Sequence, residues 1–515
     1  MNLSTDPWLP IVFATGQSDR ISLREAFTRS HDIRDLALRP HERIAVMRLL
    51  LCITHAALDG PANRKEWRTC RDRIATAVEK YLAKDEIMSA FNLFGDGPRF
   101  LQVANLKLSK CDDDEGGSPS KLDVALATGS NATLFDNAGG SDRHPETGAN
   151  ALNLLTFQCF SPGGTIGVGL WGGKPTLGWA KYPKPSPGQS AHAPCLPNST
   201  LHTLLRGSNL LDTIHLNLLN KELVAQAFGD EHWGRPVWEQ MPESAGDKSS
   251  VENATRTYSG RLVPLTRAIR FGADGKSLML ANALDFPGYD EGFREATATI
   301  VTKSDGEKRI PLGASLNRAP WRQIHALTVR RFAQDSTGGP LALDNLSGDE
   351  EFDLWVGALI ADKAKIIDTL ESVFSHLPPK LLEETGQRIY EHGVKYSEDM
   401  ARRLWSAVRY YHRKSGDNLD RPGAKARRDR LQSMASARFW TEAEQALPQL
   451  LALVRNPAEL GLEDDYLKTR WGVALQQAAR RAYEQTCPRE TARQMQAFVL
   501  GLNQLSRMKP ETVNT

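Results

Sequence analysis

The sequence predicts an α+β protein in which a large mixed amino-terminal domain with long loops, residues 1–376, precedes a carboxy-terminal four-helix bundle, residues 377–515. Three observations lead to this prediction. In the first part, helical periodicity alternates with short β-like runs. Long irregular loops interrupt these elements. After Pro378-Pro379, the chain consists almost entirely of long amphipathic segments.

The amino-terminal part contains two helical patterns, Pro40–Leu58 and Lys65–Ala83, and two β-like runs, Arg261–Phe271 and Leu278–Leu284. The apolar stretch of the first helical pattern, Ile44–Leu58, is too short to cross a bilayer, which takes about 20 apolar residues, and it carries Arg48 and His55. It therefore predicts a buried core helix that starts near Pro40.

Four amphipathic segments form the carboxy-terminal part, and Pro-Gly, Asn-Pro and Cys-Pro pairs separate them. Apolar residues recur along them at helical spacing, which is typical of bundle helices with one buried face. The segments are Lys380–Lys414, Ala426–Arg455, Tyr466–Thr486 and Glu490–Met508.

Composition and motifs indicate a globular protein without an evident catalytic centre. Charged residues make up 24% and hydrophobic residues 40% of the 515 residues. The first residues lack the pattern of a signal peptide, and the six cysteines are widely spaced, so we expect a cytoplasmic protein without disulfides. The sequence contains no HExxH or GxSxG motif, and we expect neither a metal ion nor a cofactor.

Charge is unevenly distributed although the net charge is only +2. No Asp or Glu occurs between Thr147 and Leu211, and eleven Lys or Arg lie between Arg402 and Arg438 among three acids. Such acid-poor regions indicate a polyanionic partner, and the alternative is an ordinary solvated surface. The candidates for contact with a DNA backbone are Arg402, Arg403, Arg427, Arg428 and Arg430.

The first acid-free region contains Ser161–Trp179, which has seven glycines in nineteen residues. Gly167–Gly172 formally matches the dinucleotide-binding pattern GxGxxG. That pattern requires a following helix, which Gly173 and Pro175 disfavour. A nucleotide-dependent enzyme using Gly167–Lys174 is therefore only the alternative hypothesis. Glycine also allows a backbone to approach a ligand closely, as in a DNA minor groove about 6 Å wide; a tight structural loop is the other interpretation.

Several landmarks in order resemble the large subunit of type I-E CRISPR surveillance complexes, the CasA family of Cascade. The resemblance covers nearly the whole chain and ends in the predicted bundle. Its landmarks are Asn2–Ile11 (NLSTDPWLPI), Ile44–Leu58, Phe94–Gln102 (FGDGPRFLQ), Asn131–Asp136 (NATLFD), the Pro-Gly-Gly loop and Leu205–Leu219 (LRGSNLLDTIHLNLL).

This resemblance implies a non-catalytic subunit of an RNA-guided complex. Members of the family recognise the PAM, a short duplex motif beside the target, from the minor-groove side, and they help to open the duplex for R-loop formation. The implied partners are other Cascade subunits, the guide crRNA, double-stranded target DNA with its PAM, and a recruited helicase–nuclease. A purely architectural subunit that never touches DNA is the remaining alternative.

The resemblance also assigns site residues. The glycine loop corresponds to Pro162, Gly163 and Gly164, with Gly167 nearby. The lysine finger corresponds to Lys276, which an Asp-Gly turn places at a hairpin tip; alternatively, it is an ordinary surface lysine. The loop that docks the subunit near the guide RNA corresponds to Asn131, Leu134, Phe135 and Asp136.

The wedge of the family corresponds to Asp362, Lys363 and Ala364. Amide side chains are common there in the family, so the charged pair in this chain is a departure from its pattern. The alternative interpretation of this segment is the first turn of a helix that continues through Val373.

Overall fold

The computed structural model groups the chain into two units. The first comprises Met1–Arg318, Arg330–Ser347 and Phe352–Ser375, and the second comprises Ala319–Val329, Gly348–Glu351 and His376–Thr515. The described residues are 1–108, 117–124, 145–161, 166–167, 169–176, 195–197, 199–229, 232–273, 275–287, 295–303, 306, 309–330, 337–362, 365–416, 423–461 and 465–507.

Helices and short strands alternate along the first unit, which confirms the predicted α+β class. Its helices are α1 (Leu23–Thr28), α2 (Pro40–Leu58), α3 (Arg64–Cys70), α4 (Ile74–Leu82), α5 (Asp85–Ala90), α6 (Thr147–Phe160), α7 (Leu210–Asn217), α8 (Lys221–Phe228), α9 (Lys248–Arg256) and α10 (Tyr258–Leu262). Its strands are β1 (Leu9–Phe13), β2 (Ser18–Ile21), β3 (Ile33–Leu36), β4 (Leu106–Leu108), β5 (Gly169–Trp171), β6 (Lys174–Pro175), β7 (His202–Arg206), β8 (Arg267–Phe271), β9 (Leu278–Asn282), β10 (Ile300–Thr302), β11 (Arg309–Pro311), β12 (Phe352–Asp362) and β13 (Lys365–Leu377).

The strands form small sheets. Three of these sheets have the strand orders β2-β1-β3, β4-β5-β6 and β13-β12-β7, and β8-β9 and β10-β11 are two-stranded. Strand β12 lies in the middle of its sheet, and seven consecutive residues from Leu354 to Ile360 are buried. A strand buried on both faces reads as a continuous apolar run, as this one does.

Helix α2 is the buried core helix that the sequence predicted, with the same bounds. Pro40 occupies its first turn, where its missing N–H costs no hydrogen bond. Fourteen of its nineteen residues are buried, so the helix is enclosed on all sides. It packs against α4, α6 and β12. None of the described helices is long and apolar enough to cross a lipid bilayer.

A buried ion pair connects α2 to distant segments of the first unit. Arg48 pairs with Glu295, and its Nε donates to the carbonyl oxygen of Leu262 at 3.0 Å. Burial by itself would raise the pKa of Glu295, but Arg48 reverses this effect and holds that pKa below its usual range. Because an unpaired charge would be costly here, Arg48 fixes these segments against the core helix.

The second unit is helical, as predicted. Its helices are α11 (Ile324–Leu327), α12 (Glu384–Lys414), α13 (Ala424–Gln445), α14 (Leu447–Arg455), α15 (Arg470–Thr486) and α16 (Ala492–Arg507). The central helix α12 packs against α13, α15 and α16.

Close packing against α12 depends on small residues and on hydrogen bonds from aromatic side chains. A Cβ atom at Gly393 would overlap the Leu450 side chain, so any larger residue would force Leu450 to shift. Trp471 Nε1 donates to the Gly393 carbonyl oxygen at 2.9 Å, and the Tyr390 hydroxyl donates to the Trp321 carbonyl oxygen at 2.6 Å. Trp321, from the segment Ala319–Val329, is thereby built into the bundle.

Several sequence interpretations of element bounds are wrong. The pattern Lys65–Ala83 forms two helices, α3 and α4, with a 3-10 turn at Arg71–Arg73 between them. Arg261 and Leu262, the start of a predicted β-like run, belong to α10.

The segment Ala426–Arg455 is not one helix: α13 ends at Gln445, and α14 begins with Pro448 in its first turn, since proline is tolerated there but not in a helix interior. The segment from Ala361 to Val373 is not a helix but belongs to β12 and β13. Its β-branched residues suit a half-buried strand.

Buried histidines predict a pH dependence of stability. Neither ring nitrogen of His41 has a hydrogen-bond partner among the described residues, and burial, reinforced by Arg39, lowers its pKa to about 3. A histidine whose folded-state pKa is depressed stabilises the fold above its unfolded pKa of about 6.5, and this contribution is lost as the pH falls toward 3. We expect His41→Leu to recover about 3 kcal/mol of unfolding free energy near pH 4.

The measurement is urea denaturation of both proteins between pH 7 and pH 4. His31→Leu, at an exposed site, serves as the control for replacing an imidazole with an apolar side chain. Equal pH dependence of His41→Leu and wild type would show that His41 is not held neutral by the fold.

Candidate nucleic-acid interface

Lys276 lies in the loop of a β-hairpin, as the sequence predicted. Strands β8 and β9 pair antiparallel from Arg267 opposite Asn282 to Phe271 opposite Leu278. The loop between them contains Lys276, whose side chain is exposed. The hairpin therefore carries a cation at the end of a short, regular element.

A neighbouring segment supports this loop. Gly275 adopts a left-handed conformation, with φ at +69°, and a Cβ atom there would lie 2.9 Å from the ring of Phe94. Phe94 in turn packs edge-on against Phe271, with ring centroids 5.8 Å apart. Arg99 Nη1 donates to the Phe271 carbonyl oxygen at 2.9 Å. The landmark segment Phe94–Gln102 thus holds the hairpin end in place.

The glycine-rich stretch runs beside the same hairpin. The Ile166 N–H donates to Asn282 Oδ1 at 3.1 Å, and the Asn282 N–H donates to the Gly167 carbonyl oxygen at 3.0 Å. A Cβ atom at Gly167 would lie 3.1 Å from the Leu280 carbonyl oxygen, so this glycine permits close approach to β9. The predicted contact residues Pro162, Gly163 and Gly164 lie outside the described residues.

Four buried polar residues join the two elements, and we call Gln158, Ser161, Arg267 and Asn282 the Arg267 clamp. Each has at most 1% of its surface exposed. Arg267 Nε donates to Ser161 Oγ at 2.6 Å, and Arg267 Nη1 donates to Asn282 Oδ1 at 2.5 Å. The side chain of Gln158 accepts from the Arg267 N–H and donates to its carbonyl oxygen, both at 2.9 Å.

The clamp depends on a guanidinium in a dry environment. Burial lowers the pKa of Arg267 to about 10, and Asp285 acts in the opposite direction. A buried cation needs hydrogen-bond acceptors in good geometry. Ser161, at the entrance of the glycine-rich stretch, and Asn282, at the base of the hairpin, supply them. Arg267 therefore links the two candidate elements of the interface, the glycine-rich stretch and the β8–β9 hairpin.

The GxGxxG match does not form a nucleotide-binding turn. Strands β5 and β6 pair antiparallel, with Gly172 and Gly173 between them at φ values of +56° and +73°. A β-hairpin thus stands where the dinucleotide pattern requires the start of a helix. The described residues also contain no group of three or more His, Cys, Asp or Glu suited to a metal ion.

The candidate wedge lies at the end of the β12–β13 strand pair. Asp362 is the exposed last residue of β12, whereas Lys363 and Ala364 lie outside the described residues. Ser199 Oγ accepts from the Ala361 N–H at 3.0 Å and also lies 3.1 Å from the Ala361 carbonyl oxygen. This contact supports the strand end. The predicted docking residues Asn131, Leu134, Phe135 and Asp136 also lie outside the described residues.

The basic residues of the second unit occupy different faces of two helices. On α12, Arg402 pairs with Asp399, and Arg403 is half-buried. On α13, Arg427 and Arg430 are exposed, whereas Arg428 is half-buried and pairs with Asp429 at 2.7 Å. Arg427 and Arg430 are therefore more accessible to solvent than Arg428.

A family model for CRISPR-associated protein Cse1 matches residues 2–482. The chain belongs to the Cse1 family. This result confirms the resemblance that the sequence landmarks indicated. A CasA/Cse1 protein of Thermus thermophilus is 27% identical to this Cse1-family chain over an alignment of 519 positions, which covers 94% of the chain and 92% of that protein.

Solved structures confirm that the fold is that of Cse1. Thermus thermophilus CasA is 22% identical, with a TM-score of 0.74 and 98% of each chain covered. Thermobifida fusca Cse1 is 20% identical, with a TM-score of 0.72 and coverage of 98% of this chain and 97% of its own. A chain of a CRISPR RNA-guided surveillance complex is 18% identical, with a TM-score of 0.70 and coverage of 98% and 99%.

Sequence reasoning missed the Arg267 clamp. Two of its members are polar residues in largely apolar runs: Gln158 in LNLLTFQCF and Asn282 in LMLAN. A polar residue in a buried run must find a partner, so these interruptions were the available signal. The partners themselves are distant, since Gln158 and Arg267 are 109 positions apart.

We predict that Asn282→Ala loosens the clamp. Arg267 Nη1 and the Ile166 N–H both lose an acceptor, and an unsatisfied buried donor costs about 1–3 kcal/mol. Urea denaturation should show this loss, and hydrogen–deuterium exchange should be faster at residues 166–167 and in β8. Asn105→Ala, at an exposed site, is the control. Unchanged exchange at Ile166 in Asn282→Ala would contradict a shared support.

Proposed function

We propose that this Cse1-family chain is the non-catalytic large subunit of an RNA-guided CRISPR surveillance complex. In this role it recognises the PAM duplex from the minor groove and helps to start DNA unwinding and R-loop formation. Family membership supports the assignment to the complex. The observation that supports PAM recognition is the Arg267 clamp, which holds the glycine-rich stretch and the Lys276 hairpin side by side.

The chemistry of the two elements suits a minor groove. The groove is about 6 Å wide and presents acceptors on every base pair, with one additional donor on G·C pairs. In the proposal, the backbone of Pro162, Gly163 and Gly164 enters the groove because it carries little side-chain bulk. Gly167 serves as the fixed end of this loop on β9. Lys276 supplies donors to the groove acceptors from the hairpin end.

The β12–β13 strand pair is proposed as the wedge that holds the duplex open, with Asp362, Lys363 and Ala364 at its end. A lysine at this position suits contact with a displaced phosphate better than insertion between bases. Opening each step costs about 1.4 kcal/mol, and the RNA–DNA hybrid returns about the same amount. The wedge therefore has to stabilise only the first few opened pairs.

The remaining contacts of the proposal concern partners. Asn131, Leu134, Phe135 and Asp136 are proposed to dock against the guide crRNA end and other Cascade subunits, with Leu134 and Phe135 as apolar anchors. The same chain would serve as the platform for the recruited helicase–nuclease. A cytoplasmic location follows from these partners.

Lys276→Ala is the experiment that tests PAM reading. In the assembled complex, we expect about tenfold weaker binding to a duplex with the PAM, corresponding to about 1.4 kcal/mol. Binding to a PAM-free duplex should change far less, because a groove contact depends on base edges whereas a phosphate contact does not. Equilibrium binding by electrophoretic mobility shift measures both affinities.

Lys65→Ala, which removes an exposed lysine of the same unit, is the matched control and should leave the ratio of the two affinities unchanged. If Lys276→Ala weakens binding to both duplexes equally, Lys276 contacts phosphates without regard to the PAM. No loss for either duplex would remove the residue from the interface.

The basic face of α13 predicts a change in salt dependence. Each phosphate contact contributes about 0.9 to the slope of log affinity against log salt. We therefore expect Arg427→Ala with Arg430→Ala to flatten this slope by about 1.8 for the assembled complex on target DNA. Arg480→Ala with Arg489→Ala removes the same charge from other exposed positions and is the control. An identical slope in the first double variant would exclude DNA from this face.

A further inference from the structure

The second half of α12 is strongly basic on its exposed side. From Met400 to Lys414 the sequence contains five Lys or Arg and no Asp or Glu. Residues at positions 402, 405, 409 and 413 lie three or four apart, so they share one face of the helix. All four are exposed. We call Arg402, Trp405, Arg409 and Arg413 the α12 stripe.

Trp405 interrupts the arginines of the stripe. Its side chain is 45% exposed, which makes it the most exposed tryptophan among the described residues. The Arg409 guanidinium lies over its ring, 5.7 Å from the centroid. The core of the second unit does not require this large apolar surface, because Leu404 and Val408 supply the buried side of the helix.

Aromatic and basic side chains alternate further along the helix. Arg413 and Lys414 lie over the ring of Tyr410, at 5.1 and 5.6 Å from its centroid. A groove of about 560 Å³ opens beside Trp405, and α13 contributes Gln432, Ser436 and Trp440 to its walls. Gln432 Nε2 donates to the Trp405 carbonyl oxygen at 3.2 Å, which fixes the backbone at this position.

We propose that the α12 stripe binds an unpaired DNA strand, with a base stacked at Trp405 and phosphates on Arg409 and Arg413. Arg402 takes a further phosphate in exchange for its pairing with Asp399. Surfaces that bind single strands combine a basic track with aromatic rings on which bases stack. The stripe spans twelve residues, and its ends are about 16 Å apart along the helix axis. This length suits about five nucleotides at the 3.4 Å spacing of stacked DNA, and fewer in an extended strand.

The combination of charge and ring favours a single strand over other polyanions. A duplex or an acidic peptide can use the arginines, but only unstacked bases present free faces to Trp405. The choice of DNA over RNA as the bound strand rests on the proposed function, since opening a duplex produces an unpaired DNA strand. It does not depend on PAM reading by Lys276.

Fluorescence anisotropy of a labelled oligothymidine of about 15 nucleotides, within the usual site sizes of single-strand binding domains, tests the proposal on the purified full-length chain. We expect Trp405→Ala to weaken its binding about tenfold, and Trp405→Phe to retain most of the affinity because a ring remains. Oligothymidine should also quench the tryptophan fluorescence of the wild type more than that of Trp405→Phe. Val473→Ala, which removes an exposed apolar side chain from α15, is the matched control and should leave oligothymidine binding unchanged.

The same binding measurement is made with a DNA duplex of equal length and with an oligouridine. The proposal stands if Trp405→Ala weakens oligothymidine binding and leaves duplex binding within twofold. Equal loss for the duplex, no loss for oligothymidine, or tighter binding of oligouridine than of oligothymidine would overturn it. The proposed function fails on a different readout, the ratio of affinities with and without the PAM, so the two failures are distinguishable.

Discussion

The buried guanidinium of Arg267 is the interaction on which the candidate interface depends. Its side-chain acceptors, Ser161 and Asn282, belong to the glycine-rich stretch and to the hairpin that carries Lys276. Because a buried charge without partners costs several kcal/mol, neither segment can withdraw without a large penalty. The two elements therefore behave as one rigid support, although residue 161 and residue 267 are 106 positions apart.

The number of glycines is not, by itself, the reason to propose that the glycine-rich stretch contacts DNA. Gly167 and Gly169 are needed for internal packing, since a Cβ atom at Gly169 would lie 2.8 Å from the Lys107 carbonyl oxygen. Gly172 and Gly173 form a turn with positive φ. The proposal of backbone contact with the minor groove consequently rests on Gly163 and Gly164, and the other glycines explain how the loop is anchored.

Elements with a strong local pattern could be predicted from the sequence. Helix α2 is one, because its apolar run and Pro40 leave little choice, and the β8–β9 hairpin is another. Strand β13 could not be predicted, since over a short window its apolar spacing fits a helix as well as a strand. The Arg267 clamp could not be predicted either, because its hydrogen bonds join residues that are distant in sequence and become neighbours only in the folded chain.

If the glycine-rich stretch and the Lys276 hairpin contact DNA as proposed, the rigidity of the Arg267 clamp affects the net binding free energy. Opening a base-pair step costs about as much as the hybrid returns, so a reader has only a few kcal/mol to contribute. A flexible loop would lose much of this in ordering itself, whereas a preorganised loop does not. The near-neutral chain supplies little general attraction. In the proposed function, specific affinity therefore comes from a few well-ordered contacts, and basic surfaces such as the proposed α12 stripe add a contribution that is independent of base sequence.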